Sequence, residues 1–167
     1  MSTTLTAQPI TRENFAAFGD VIETEHAHHY TINAGWAERY HDLARLDLTQ
    51  HNGRPCLSIF RALPRPAPVA LQLMERHNLS SQTFVPLTAI PFLVVVAKPG
   101  PAPASPNDLF AFITNGKQGV NYHPGTWHHP LLAIRQTCDF LIVDRDADGE
   151  DCDEVGIEGW DIGVHLP

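Results

Sequence analysis

Long apolar runs are missing from this 167-residue chain. The longest, Phe92 to Ala97, is far short of the ~20 residues a membrane-crossing helix needs. Charge is scarce as well: Asp, Glu, Lys and Arg make up 18% of the residues, below the ~25% of an average soluble domain. Acids outnumber bases 19 to 11, for a formal charge of −8. A chain of that sign repels polyanions, which excludes nucleic acid and an anionic membrane as its main partner. The three cysteines, Cys56, Cys138 and Cys152, are odd in number and form no C-x-x-C pair. Neither a disulfide framework nor a zinc knuckle is written there, and idle thiols in a reducing compartment are expected. The first fifteen residues lack a basic segment followed by an apolar one, so no signal peptide is read and a cytoplasmic protein is expected. G-x-G-x-x-G, P-loop and G-x-S-x-G patterns are absent, which removes the signals for dinucleotide, nucleoside triphosphate and nucleophile-elbow chemistry and for a nucleotide or flavin cofactor.

What the chain does have is 43% apolar residues, 14 prolines and 11 glycines. The length suits one domain over residues 1–167 with a real core, and the punctuators favour short elements joined by turns. Thr11 as N-cap, Glu13 in the first turn, Phe15 and Phe18 on one side and Gly19 as a stop predict a short helix. Beyond it the periodicity is two, in 56–62, 69–77, 82–87, 92–98, 109–114, 127–134 and 138–144. Such spacing predicts a mainly β sandwich or small barrel. The acidic stretch 146–154 lacks the glycine and terminal glutamate offsets of an EF-hand and reads as a solvated loop.

Two segments carry chemistry. In VALQLMERHN, alternation puts Glu75 and His77 on the face of Val69, Leu71 and Leu73, at the inner end of an apolar cavity where polar groups need partners. With Gln82 returning to the same mouth, a carboxylate, an imidazole and an amide can bind a divalent metal or a polar substrate. In NYHPGTWHHPL, a turn at Pro124-Gly125 would bring His123 toward His128 or His129, a pairing suited to metal ligation or proton transfer near neutral pH. Tyr122 and Trp127 flank these histidines, the tryptophan as packing. Arg61 and Arg39 are the guanidinium candidates for a substrate carboxylate.

At FGDVIE (18–23), Asn33 to Ala44, ERH (75–77), Q-x-F-x-P (82–86), FITNGKQGVNYHPGTWHHPL (112–131) and DFLIVDR (139–145), the sequence resembles the ureidoglycolate lyases. The likeness covers roughly residues 7 to 155. It implies a homodimeric cupin-like β-barrel (a double-stranded β-helix or jelly roll) with a few short helices. It also implies the amidine-lyase reaction of allantoin degradation in purine metabolism, which splits ureidoglycolate into glyoxylate and urea. Cupins carry H-x-H, a glutamate and P-x-G-x-x-H as metal ligands. In this chain Glu75 stands at the first histidine position, His77 at the second, Gln82 at the glutamate and His128 at the end of the last motif, so two of four ligands are altered. The resemblance implies a divalent metal, nickel ahead of manganese or zinc. Within such a site His123 or His129 would move protons, Tyr122 would donate a hydrogen bond, and Arg61 or Arg39 would hold the carboxylate. A non-catalytic cupin-type protein that binds a small molecule is the alternative, because fold alone does not fix function. A cupin isomerase or dioxygenase would need the unaltered ligand set.

Overall fold

The computed structural model describes residues 3–167. Its N-terminal part runs β1 (Thr3–Thr6), β2 (Gln8–Pro9), α1 (Arg12–Phe15), β3 (Gly19–Ile22), β4 (His29–Ile32) and β5 (Ala37–Tyr40). The middle holds β6 (Arg54–Ala62), β7 (Val69–Ala70), β8 (Leu73–Arg76), β9 (Gln82–Pro86), β10 (Phe92–Ala97) and β11 (Leu109–Ile113). The last part is β12 (Gly119–Tyr122), β13 (Trp127–His128), β14 (Leu132–Ala133), β15 (Cys138–Asp146), β16 (Asp153–Gly156) and β17 (Ile162–His165). No helix among the described residues is long and apolar enough to cross a membrane.

The helix forms where its cap signals stand. Thr11 accepts from the Asn14 amide and Asn14 reaches back to the Thr11 amide, a reciprocal box that satisfies two otherwise orphaned donors. Phe15 and Phe18 bury against Phe112. Gly19 is not the helix stop expected of it: the helix ends at Phe15, and Gly19 opens β3 against β12. A Cβ there would come within 2.0 Å of the Asn121 carbonyl oxygen, so the close strand approach requires glycine.

Three sheets lie in layers. β1, β17 and β7 make the first; β16, β8, β13, β10, β11 and β2, with β14 also on β10, make the second; β3, β12, β9, β15 and β6 make the third, while β4 and β5 form a separate hairpin. The middle layer explains the one continuous apolar run. Leu93, Val95 and Ala97 of β10 pack toward Val69, Ile162 and Val164 of the first sheet. Phe92, Val94 and Val96 pack toward Phe84, Val120 and Phe140 of the third. A strand covered on both faces has no polar side to alternate with. The fold is mainly β with few short helices and fits the cupin-like class, as stacked sheets; no ring of strands closes among the described residues.

The expected strand over 69–77 is in fact two. β7 belongs to the first sheet and β8 to the second, and the chain changes sheets at Leu71 and Gln72, whose amide and carbonyl bond to Ile162 and Ile157. The break shifts the parity of inward positions: Val69 and Leu71 join the first core, and beyond it Met74, not Leu73, takes that face fully buried. Glu75 and His77 therefore lie opposite the Val/Leu face instead of sharing it, and look between the second and third sheets. The stretch 127–134 is likewise two short strands, β13 and β14, paired with different ends of β10.

Candidate functional site

Glu75 on β8 is directly opposite His128 on β13, a register that brings facing side chains within contact. Glu75 Oε1 lies 3.3 Å from His128 Nε2, without the alignment of a hydrogen bond. His77 follows β8 immediately, its ring centroid 5.5 Å from that of His128. One ligand atom from each of Glu75, His77 and His128 lies within 4.8 Å of the others. The face of the His128 ring is covered by Tyr122 of β12, stacked at 4.2 Å and 11°.

Both imidazoles are held in one tautomer by the main chain. His77 Nδ1 is 2.5 Å from the Asp151 carbonyl oxygen and His128 Nδ1 is 3.0 Å from that of Thr126. A carbonyl only accepts, so each Nδ1 carries a proton, and in the neutral imidazole each Nε2 offers a lone pair. Those two Nε2 atoms and Gln82 Oε1 are buried without a hydrogen-bond partner. The Gln82 amide nitrogen donates to Asp144 at 3.4 Å, which leaves the oxygen as its free end. Gln82 pairs with Tyr122 in register and shares with His77 a cavity of about 240 Å³ that Asp144, Asp151 and Cys152 also line. Buried polar atoms are rarely left unpaired, and a set consisting only of acceptors matches a cation.

Burial raises the Glu75 carboxyl, but positive charge on His128, then on His77 and His129, outweighs it and holds the group below the usual carboxylate range, so the pocket favours a cation beside Glu75. Burial and the Glu75 charge push the Tyr122 hydroxyl well above its ordinary value, so it stays protonated and can donate. Cys152 Sγ lies 4.0 Å from Glu75 Oε2. Burial, then Glu75 and the neighbouring acids, push its thiol up to about 11, which keeps it from being a nucleophile at neutral pH.

Other expected participants are elsewhere. His129 points to the opposite side of β13 from His128, as alternation demands. Its Nδ1 donates to the Pro130 carbonyl at 2.8 Å and its Nε2 accepts from the Gln72 amide at 3.4 Å, so neither nitrogen is free to shuttle protons. His123 does not join the Glu75 group; its Nε2 is 3.1 Å from Asp20 Oδ2. Arg61 lies on the outer face of the third sheet, bound to Asp139 by two hydrogen bonds of 2.8 and 2.9 Å. Arg39 is exposed on the β4–β5 hairpin. Neither arginine reaches the group. Trp127 is packing: it is 3% exposed, with the Arg76 guanidinium 4.5 Å above its ring.

The sequence reading missed Asp151 and its neighbours. Most of the stretch 146–154 is exposed, as expected, but part of it is tied to the site: the Asp151 carboxylate accepts from the amides of Asn78 and Leu79 and the hydroxyl of Ser80, and Asp153 accepts from Arg76 and Asn78. It was missed because its partners lie more than seventy residues away, and no local pattern reports them.

Comparison with known proteins gives one answer. A family model described as ureidoglycolate lyase matches residues 2–163. A protein named ureidoglycolate lyase from Pseudomonas syringae pv. tomato is 50% identical over 151 residues, 90% of this chain and 88% of that one. One of the same name from Burkholderia mallei has the same identity and coverage, and one from Pseudomonas fluorescens is 49% identical over 90% of each chain. Among solved structures, a dTDP sugar isomerase from Desulfovibrio desulfuricans G20 aligns at a TM-score of 0.44 with 19% identity, covering 77% of this chain and 81% of that one.

Proposed function

The chain belongs to the ureidoglycolate lyase family, and from that premise we propose that it cleaves ureidoglycolate to glyoxylate and urea. The observation that carries the activity is the match along residues 2–163 with relatives of that name at about half identity. The substrate carbon bears a hydroxyl, a carboxylate and a urea nitrogen. Elimination removes the hydroxyl proton, the O–H electron pair becomes the second bond of the aldehyde, and the C–N pair leaves with nitrogen, which takes a proton. No nucleophile and no redox step are needed, and each positioned proton transfer is worth ~10²–10⁴ in rate.

A divalent metal, nickel first and manganese or zinc after it, belongs to this reading. Glu75, His77, Gln82 and His128 would hold it, and the partnerless Nε2 and Oε1 atoms fit that role. Such an ion supplies Lewis acidity that lowers the pKa of a bound oxygen. The protein side of the chemistry falls to two neighbours. The protonated Tyr122 hydroxyl donates a hydrogen bond, and His123, paired with Asp20 in the neighbouring cavity, is the imidazole left for proton transfer to the departing nitrogen. The chain works as a homodimer in this reading. Leu57 and Ile59 of β6 are 69% and 60% exposed on a nine-residue strand that ends the third sheet, an edge that a second copy would cover.

The test is urea and glyoxylate release from racemic ureidoglycolate, corrected for spontaneous decay. Protein is assayed as purified, after chelator, and after nickel or manganese is added back. Equimolar products, lost with chelator and restored by metal, are expected. No turnover above background overturns the activity and leaves a binding protein, while turnover indifferent to chelation removes the metal.

A further inference from the structure

The substrate of the proposed reaction is a carboxylate, yet the Glu75 group consists of acceptors, and the adjoining cavity is lined by Asp144, Asp146 and Asp151. A guanidinium nearby would offset that negative lining. Most guanidinium groups near the site are already committed: Arg76 to Asp153, Arg61 to Asp139, Arg54 to Asp146, and Arg145 to the carbonyls of Gln50 and His51. The side chains of Arg39, Arg45, Arg65 and Arg135 have no hydrogen bond or ion pair among the described residues, and of these four Arg45 is the one that lines a cavity with a site candidate, about 280 Å³ shared with Asp47, His123 and Pro124.

The backbone of Arg45 is held with more care than an exposed loop residue needs. Its amide donates to Asp20 Oδ2 at 3.0 Å, and its carbonyl accepts from Asn121 Nδ2 at 2.9 Å. Asn121 is fully buried on β12, next to Tyr122. Its amide nitrogen donates also to Asp20 Oδ2 at 2.9 Å and its oxygen accepts from Thr83 at 2.8 Å. Two residues on, the Asp47 amide donates to Ser81 Oγ and its carbonyl accepts from the Ser81 amide, both at 2.9 Å, one residue before Gln82. The Asp47 carboxylate is taken by Gln50. Burying an asparagine is costly unless every polar atom is used. Here the buried network pins segment 45–47 to the two strands that carry Tyr122 and Gln82, and leaves one free guanidinium beside His123.

We propose that Arg45 is the carboxylate-binding residue of the site: it takes the carboxylate of a small 2-hydroxy or 2-oxo acid in the cavity it shares with His123. A guanidinium grips a carboxylate through two parallel hydrogen bonds, fixing orientation as well as charge. The identity of the acid as ureidoglycolate rests on the reading above; the subsite does not.

Steady-state kinetics and glyoxylate titration by calorimetry test this with wild type, Arg45→Gln, Arg45→Lys and, as a surface control, Lys117→Gln. Arg45→Gln is expected to raise KM for ureidoglycolate by roughly 10- to 100-fold with kcat within about fivefold, and to weaken glyoxylate binding comparably. Arg45→Lys recovers part of both, and Lys117→Gln changes neither. Wild-type KM and glyoxylate affinity in Arg45→Gln overturn the proposal. If the wild type turns over no ureidoglycolate, the proposed activity falls, and glyoxylate decides the subsite alone. Binding that Arg45→Gln abolishes upholds it; absence of binding by the wild type overturns it.

Discussion

Asp151→Ala is the substitution whose consequences the structure spells out most fully. The wild-type carboxylate accepts from the Asn78 amide at 2.8 Å, the Leu79 amide at 3.0 Å and the Ser80 hydroxyl at 3.1 Å, and so closes the turn after β8. The same residue's carbonyl receives the His77 Nδ1 proton. Hydrogen bonds to a charged acceptor contribute about 1.5–3 kcal/mol each when buried. Asn78 is exposed, so water replaces the acceptor there; Ser80 is 5% exposed, and its hydroxyl finds no such substitute. The net cost is therefore about 2–3 kcal/mol, not three full bonds. At ~2–4 °C per kcal/mol for a domain of this size, Tm falls by roughly 4–12 °C.

The functional part of the prediction is separate from the stability part. Asp151→Ala keeps the main-chain carbonyl that orients His77. Its effect on the metal site therefore comes only through the loosened turn and is expected at the low end of the ~10–100-fold cost of disturbing such an orienting contact. Nickel titration of chelator-treated Asp151→Ala is expected to show that weakening well below its Tm. Asp151→Asn keeps an oxygen able to accept from the Asn78 and Leu79 amides and is expected to retain most of both properties. An Asp151→Ala protein with wild-type Tm and wild-type nickel affinity would refute the reasoning.

The pH dependence of stability comes in part from His129, whose imidazole is held neutral below its ordinary range by burial, against a smaller raising effect of the Pro130 carbonyl. Between the unfolded pKa of ~6.5 and the lowered folded value, the unfolded chain binds a proton that the folded one does not, so stability is full above ~pH 6.5 and declines as pH falls below it. Urea midpoints at pH 7.5 and 5.5 are expected to differ less for His129→Gln than for the wild type, and an unchanged difference would exclude His129 as a source. The dimer is read by sedimentation: Leu57→Lys with Ile59→Lys is expected to shift a two-chain species to one chain, whereas an unshifted species would place the interface elsewhere.

Much of the architecture was legible because period-two alternation is a local property of a half-buried strand. β6, β9, β11 and β15 begin and end within about two residues of where their patterns do. What alternation could not show is a change of sheet. At Leu71 and Gln72 the chain crosses between layers, and the face shared by Val69 and Leu71 passes to Met74. Glu75 and His77 were expected to look inward, and they do, although the face argued for them was the wrong one. The choice between His128 and His129 was open to the same logic. Trp127 fills the first core, so its neighbour His128 faces the other way and His129 returns to the tryptophan's side. Arg61 misled because its strand neighbours Leu57 and Ile59 look like core residues, yet they are exposed on a sheet edge. Asp151 and Asn121 were beyond reach for a different reason: each acts through hydrogen bonds to residues distant in the chain, and a single sequence carries no trace of such pairings.

The altered ligand pattern makes physical sense when its charge is counted. Three histidines and a glutamate present three neutral nitrogens and one negative carboxylate. Glu75, His77, Gln82 and His128 present two neutral nitrogens, one neutral amide oxygen and one carboxylate, so the total stays at −1 while the carboxylate and the neutral oxygen exchange places with an imidazole. The proposed set is thus no stronger an anion than the unaltered one, and with two imidazoles kept it still suits a divalent transition metal. Moving the carboxylate to position 75 has a second effect. On β8 it faces His128 across the strand pair and lies within 4.0 Å of Cys152, so the charge stands beside an imidazole and helps push the neighbouring thiol up.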